Sequence, residues 1–215
     1  MDCIPLGGLV EIKTLVTFGD SWPAGAELQK SEQTFGQLLA DQLGCNFVNC
    51  AEPATAIDNL IVQLDNYIKS SKIDNTVAVF FLTDMSRAVV YKDKKLSQVQ
   101  PLYEDQWYLQ YVYSEELSVF RANVAVLALQ RMCAVAGIED RYVMGWTKFP
   151  IIFSGIDLNK IYDNGRTTCL NLFGGADGDT NYIYHKDNHY IRPNQDHPNQ
   201  TGHKFIADTL YKWIK

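Results

Sequence analysis

The sequence predicts an α/β fold: a largely parallel sheet with helices on both faces. Three observations carry that prediction. Strand-like and helix-like segments alternate along most of the chain, as in a run of βαβ units. Thr76–Leu82 (TVAVFFL) is nearly all apolar and β-rich, as a strand buried on both faces must be. Ser114–Ala136 repeats Leu117, Phe120, Val124, Leu127, Ala128 and Met132 at steps of three and four, which gives a long helix an apolar face.

In chain order, Lys13–Phe18 reads as the first strand. Gln33–Leu43 follows as a helix through Phe35, Leu38, Leu39 and Leu43, and Asn46–Asn49 is a short extended piece. Ile57–Ile68 returns to the helical period through Leu60, Ile61, Leu64 and Tyr67. Gly137 stands just beyond the long helix, where a left-handed C-terminal residue is expected. Arg141–Gly145 is a further strand and Lys204–Ile214 the last helix. Two stretches break the alternation. Ser86–Tyr113 is polar and aromatic, with Tyr91, Tyr103, Trp107, Tyr108, Tyr111 and Tyr113, and Phe149–Arg192 is rich in Gly, Asn and Asp. Long irregular stretches inside a compact domain are usually functional loops or lids. No linker, repeat or low-complexity segment divides the chain. Residues 1–215 are therefore read as one domain, with an aromatic-rich insertion around 86–113 and a long loop region around 149–192.

Bulk properties narrow the function. With 215 residues, 47% of them apolar and 20% charged, the chain can bury a substantial core. A net charge of −6 without a Lys/Arg cluster argues against nucleic acid as a partner. Cys3, Cys45, Cys50, Cys133 and Cys169 are odd in number, irregularly spaced and free of CxxC, which disfavours a disulfide framework or a zinc ribbon. The N-terminal stretch carries Asp2 and Glu11 without a basic region ahead of an apolar run, unlike a signal peptide. No apolar run approaches the roughly 18 residues needed to span a bilayer. The resulting expectation is a cytoplasmic protein with reduced cysteines and no membrane partner.

The chemistry-bearing residues lie at opposite ends of the chain. The β-rich run Thr14-Leu15-Val16-Thr17-Phe18 ends in Gly19-Asp20-Ser21 and then in small residues. That pattern presents a serine at the C-terminal edge of a buried strand, where open α/β sheets bind ligands. Asp196-His197-Pro198-Asn199 with Gly202-His203 precedes the final helix and supplies a candidate base. A serine hydroxyl becomes a nucleophile once a base takes its proton, and acyl chemistry also needs donors aimed at the developing oxyanion. The plainer readings are Ser21 as a helix N-cap and His197 as a structural residue capping the last helix.

These blocks resemble those of the SGNH, or GDSL, hydrolase family, over about Leu15–Ile214. Phe18-Gly19-Asp20-Ser21 matches the nucleophile block and His197 the family's base. In Asn49-Cys50-Ala51-Glu52-Pro53-Ala54-Thr55, Ala54 stands where the family offers a glycine N–H. In Phe81-Leu82-Thr83-Asp84, Thr83 stands where it offers an asparagine amide. Alanine keeps its N–H and can donate if its φ is negative, and a threonine hydroxyl can rotate to donate or accept. The family's acid precedes the histidine by three residues. Here that position is Asn194, while Asp196 is adjacent to His197; Asn194 or Asp196 could orient the imidazole, and a Ser-His dyad is a third arrangement. Asp20 reads as a local acceptor shaping its turn. The set GDS-x-P-x-G, Asn-x-Ala-Glu-Pro, Thr83-Asp84-x-x-Arg87 and HPN-x-x-GH also resembles SGNH-type proteins of tailed bacteriophages, a likeness that would bring Arg87 near the site and would imply host cytoplasm or a virion.

The resemblance implies a three-layer α/β/α sandwich, SGNH/flavodoxin-like, with a parallel sheet of about five strands. It implies a serine esterase cleaving a carboxylic ester, such as an O-acetyl group on a carbohydrate. Ser21 would attack, His197 would serve as base with Asp196 orienting it, and Ser21, Ala54 and Thr83 would hold the oxyanion. The expected partner is a small-molecule or carbohydrate ester, with no cofactor and no metal. His185 and His189 share a four-residue spacing, but their segment does not read as a helix and lacks HExxH. The competing reading is a weakened scaffold that binds carbohydrate or serves a structural role.

Overall fold

A computed structural model describes residues 11–92, 95–99, 113–176, 189–192 and 196–215. Its central sheet contains β1 (Thr14–Phe18), β2 (Asn46–Asn49), β3 (Thr76–Leu82) and β6 (Glu139–Met144), in the order β2-β1-β3-β6. All three pairings are parallel, and Thr14 lies opposite both Asn46 and Thr76. Chain connections run from β1 to β2 on one side and from β3 to β6 on the other. The C-terminal ends of β1 and β3 therefore flank the topological switch point where such sheets open a crevice.

Alternation along the strands sorts side chains into two cores. Val16, Phe18, Ala78, Phe80, Leu82, Tyr142 and Met144 face one side. There they meet α3 (Asn59–Ser70) and α4 (Glu115–Ala136) through Leu60, Leu64, Val126 and Leu129. Leu15, Val77, Val79, Phe81 and Val143 face the other. They meet α2 (Phe35–Leu43), the short α5 (Cys169–Leu172) and α6 (Gln200–Ile214) through Phe35, Leu39, Leu170, Ile206 and Leu210. The three layers expected from the sequence follow from these two faces.

Three expectations need correction. The sheet has four strands among the described residues, not about five. Beyond β6 the chain makes isolated parallel bridges, Tyr142 with Ile161 and Met144 with Thr168. Between them Asp163 and Asn164 adopt left-handed backbone, which breaks the extended run a fifth strand would need. Second, part of the Ser86–Tyr113 stretch is an antiparallel hairpin, β4 (Ala88–Lys92) with β5 (Lys95–Val99). The lysine-rich sequence around 92–95 carries no strand alternation that would announce it. Third, α4 is long and apolar enough to cross a membrane by length and composition. Val119, Ala122, Val126, Leu129 and Cys133 on it are buried against the sheet and α3, as a core helix requires. The aromatic residues at 103, 107, 108 and 111 lie outside the described residues.

Candidate active site

The corner after β1 is built by backbone constraint. Gly19 has φ +148°, and a Cβ there would sit 2.6 Å from Pro23 Cγ and 2.9 Å from Phe81 Cβ. Only glycine fits such a turn. Gln63 of α3 clamps the same residue from the side. Its Oε1 accepts the Gly19 N–H and its Nε2 donates to the Gly19 carbonyl, each at 3.1 Å. Glu52 N–H also donates to the Gly19 carbonyl at 3.0 Å.

Ser21 opens α1 (Ser21–Ala24), whose N-cap is Asp20: its carboxylate accepts the Trp22 N–H at 3.2 Å. The N-cap reading of Ser21 is thereby replaced, because the neighbouring residue does that work. Asp20 is fully buried and paired with Arg87, Nη1 to Oδ2 at 2.9 Å. Burial pushes the Asp20 carboxyl above its ordinary range, while Arg87, the Trp22 N–H and His197 pull against that rise. Arg87 thus sits at the floor of the corner and pairs with Asp20. Asp84 accepts the Ser86 N–H at 2.8 Å.

The second strand's loop supplies a tight turn. Thr55 N–H donates to Glu52 O at 3.3 Å, and Ala54, third of the four residues, has φ +66°. With Pro53 second, this is the arrangement of a type II turn, whose third position favours glycine. The negative φ on which Ala54 was expected to donate is therefore not found. The backbone keeps a conformation suited to glycine, at a cost of roughly 1 kcal/mol for alanine. Thr83 is fully buried beneath this turn, and its hydroxyl donates to Thr55 O at 3.0 Å. Asp84 O is a second, more distant acceptor at 3.4 Å; a hydroxyl has one proton to give, and in this arrangement Thr83 uses it to hold the turn.

The histidine segment docks from the far end of the chain. Ile191 and Pro198 form an antiparallel bridge, and Arg192 N–H donates to His197 O at 3.1 Å. Asn199 caps α6, its side chain accepting the Gly202 N–H at 2.9 Å. That cap removes the reading of His197 as the helix cap. A Cβ on Gly202 would lie 2.4 Å from Tyr190 O, so only glycine lets α6 approach that closely. His203 is fully buried and accepts the Phe35 N–H at 3.1 Å. Burial, with Arg192 and His197 nearby, lowers its pKa to about 3.

Trp22 brings the two ends together. Its indole Nε1 donates to Asp196 O at 2.9 Å, which links the residue after Ser21 to the residue before His197. Around His197, Nδ1 lies 2.8 Å from Asp196 Oδ1 and 3.1 Å from Glu27 Oε2. Both contacts are close, yet neither carboxylate oxygen lies on the N–H direction, and Nδ1 has no aligned hydrogen bond. Burial alone would lower the imidazole pKa, but Asp196 and Glu27 outweigh it and raise it above 6.5. Contact with His197 holds the Asp196 carboxyl below its ordinary range. Among the described residues, Glu27, Asp196 and His197 form the one cluster of three ligand-type groups, with atoms within 4.8 Å of one another. Asn194 and His185 lie outside the described residues.

Sequence reasoning missed Gln63, Trp22 and Glu27. Gln63 carried a signal, a polar residue on the face of α3 that also bears Leu60, Leu64 and Tyr67. Glu27 carried none, since its importance arises from the distant histidine.

No protein-family model and no curated sequence matches the chain. Solved structures do match over most of its length. A lipolytic protein of the G-D-S-L family from Desulfitobacterium hafniense superposes with TM-score 0.54 at 12% identity, covering 94% of this chain and 99% of that one. The psychrotrophic esterase EstA from a Pseudoalteromonas species gives 0.51 at 14% identity, covering 94% and 96%. The acetyl xylan esterase AlAXEase gives 0.51 at 12% identity, covering 94% and 100%. The chain has the fold of these lipolytic proteins and esterases.

Proposed function

We propose that the protein is a serine esterase of the SGNH type, acting on a carboxylic ester such as an O-acetyl group on a carbohydrate. One observation carries the reading. The serine corner at the sheet's switch point and an imidazole flanked by carboxylate are tied to each other through Trp22 and Asp196. Two of the compared structures are esterases in name, one of them an acetyl xylan esterase, which supports the ester class.

In the proposed reaction Ser21 Oγ attacks the ester carbonyl while His197 takes its proton. The backbone N–H of Ser21 receives the oxyanion, joined by that of Ala54, which the left-handed backbone turns as it would a glycine's, and Thr83 acts through the turn it supports. Collapse of the tetrahedral intermediate breaks the C–O bond to the alcohol, which leaves with the proton from His197. Water then attacks the acyl-enzyme, its proton passing to His197, and releases the acid and free Ser21. Asp196 orients the imidazole. Arg87 balances the buried charge of Asp20 beneath the nucleophile.

The test is hydrolysis of p-nitrophenyl acetate and butyrate by wild type, Ser21→Ala and His197→Ala. The expected result is turnover lost in both variants, with a preference for acetate. A specific observation favours a second reading, a carbohydrate-binding scaffold of weak activity: the Thr83 hydroxyl is bound to Thr55 O, and losing one oxyanion donor costs about 10²–10³ in rate. Binding of an acetylated oligosaccharide without turnover, unchanged in Ser21→Ala, would select it.

A further inference from the structure

We propose that Glu27 is a second positioning carboxylate for His197, sharing the Nδ1 edge of the imidazole with Asp196 and coupling the serine's own loop to the base. The proposal rests on the esterase reading of the site. Its geometric basis is the pair of short, misaligned contacts at Nδ1. Asp196 adjoins His197 in the chain and reaches Nδ1 on a short side chain with two torsions. Glu27 reaches in from another segment on a longer side chain, whose three torsions let its carboxylate swing onto the Nδ1–H direction. Loose catalytic hydrogen bonds that tighten in the complex are common.

Backbone strain singles out the same residue. Leu28 N–H donates to Gly25 O at 3.2 Å, and Glu27, third in that four-residue turn, has φ +67°. A third position with positive φ calls for glycine or asparagine. Among the described residues five non-glycines have positive φ: Glu27, Ala54, Asn75, Asp163 and Asn164. Asn and Asp tolerate this region through local side-chain hydrogen bonds. Glu27 and Ala54 have no such excuse, and both lie on loops packed beside the Ser21 corner. A costly residue retained where glycine would fit suggests that its side chain is used.

The loop that carries Glu27 is held against the histidine segment independently of Glu27. Arg192 pairs with Glu32, Gln33 N–H donates to Gln200 Oε1 at 2.7 Å, and Phe35 N–H donates to His203. At its other end Ala26 N–H donates to the carbonyl of Ser21 at 2.9 Å. Glu27 therefore stands on a fixed bridge between nucleophile and base. Among the described residues, Asp20 with its Arg87 partner, the buried His203 and Arg192 with its Glu32 partner are the further charged and titratable groups around His197.

The experiment is an NMR pH titration of the His197 imidazole nitrogens in wild type, Glu27→Gln, Asp196→Asn and the double variant, with a chelator present. It is paired with kcat/KM against pH. In wild type the His197 midpoint should lie above 6.5, and so should the acid limb of kcat/KM, because the base must be neutral to act. Each single substitution should shift both downward, and the double variant should shift them furthest. Each single loss should reduce kcat/KM about tenfold and the double loss about 10³-fold, since the two act on one imidazole. Glu27→Gly should raise Tm while lowering the His197 midpoint, a split that a purely structural residue would not give. An unchanged His197 midpoint in both Glu27→Gln and Glu27→Gly, with Asp196→Asn carrying the whole shift, would overturn the proposal. Absence of Ser21-dependent turnover in wild type would sink the esterase reading instead, and the titration would still decide the role of Glu27.

Discussion

The two halves of the site are held in different ways. The serine corner grows out of a central strand. Its glycine has no room for a side chain, both polar groups of that glycine are bound by Gln63, and its acid is buried on an arginine. The histidine side is a loop docked from the far end of the chain by a short antiparallel bridge, an ion pair and a few hydrogen bonds, and its imidazole faces two carboxylates without aligning to either. The proposed nucleophile thus stands on a corner built from the sheet, whereas the proposed base depends on contacts between segments about 170 residues apart in sequence. Catalysis gains most when positioning is complete before the substrate arrives. By that measure the corner is finished and the imidazole is left to be aligned.

The sharpest way to break this contrast is at Gly19. Gly19→Ala forces a Cβ against Pro23 and Phe81, and should cost about 3 kcal/mol or more in thermal or urea unfolding. Activity should fall with it even below the melting transition. Gln63→Leu comes next. It strips partners from the Gly19 N–H and carbonyl and should cost about 2–4 kcal/mol. Its activity loss should appear in kcat more than in KM, because the serine is displaced and no binding contact is removed.

Smaller changes separate the loops from the corner. Thr83→Val removes the donor to Thr55 O and should cost about 1 kcal/mol. If Thr83 acts through the turn, kcat should change less than about threefold; a drop near the 10²–10³ of a lost oxyanion donor would instead make its hydroxyl a direct participant. Ala54→Gly should be the mildest. Relief of the left-handed backbone should stabilise the protein by about 1 kcal/mol or less, offset in part by glycine's entropy in the unfolded chain. Esterase turnover should be unchanged or higher, as measured by unfolding and kinetics on the same preparation.

Much of the layered fold could be read from the sequence, because period and burial there agree. Thr76–Leu82 is apolar at every position and is buried at every position. Ser114 caps the long helix and Gly137 ends it in left-handed backbone. The places that were not legible are those where distant segments or backbone dihedrals decide. Ala54 could be placed beside the serine by its block, but its φ could not be inferred from its identity, although Pro53 before it marks the turn. Thr83 could be placed at the strand end, but whether its single proton points outward or to Thr55 depends on the fold. Glu27 sits in a stretch of ordinary loop composition, and only the docked histidine segment gives it a neighbour. Asp20, Ser21 and His197 could be singled out because each stands in a short local block, and the carboxylate of Asp20 does accept the Trp22 N–H two residues on. The contacts that hold those blocks in place, from Arg87 and Gln63 to the first and from Trp22 to Asp196 between the two, join distant parts of the chain.

The central claim is that Ser21 is activated by His197, and stoichiometric labelling with a fluorophosphonate tests it most directly. The account predicts one adduct per chain, mapped to Ser21 by mass spectrometry, with labelling lost in Ser21→Ala and slowed at least about 10³-fold in His197→Ala. Labelling of Ser21 at an undiminished rate in His197→Ala, or no labelling of the folded wild-type protein, would contradict it.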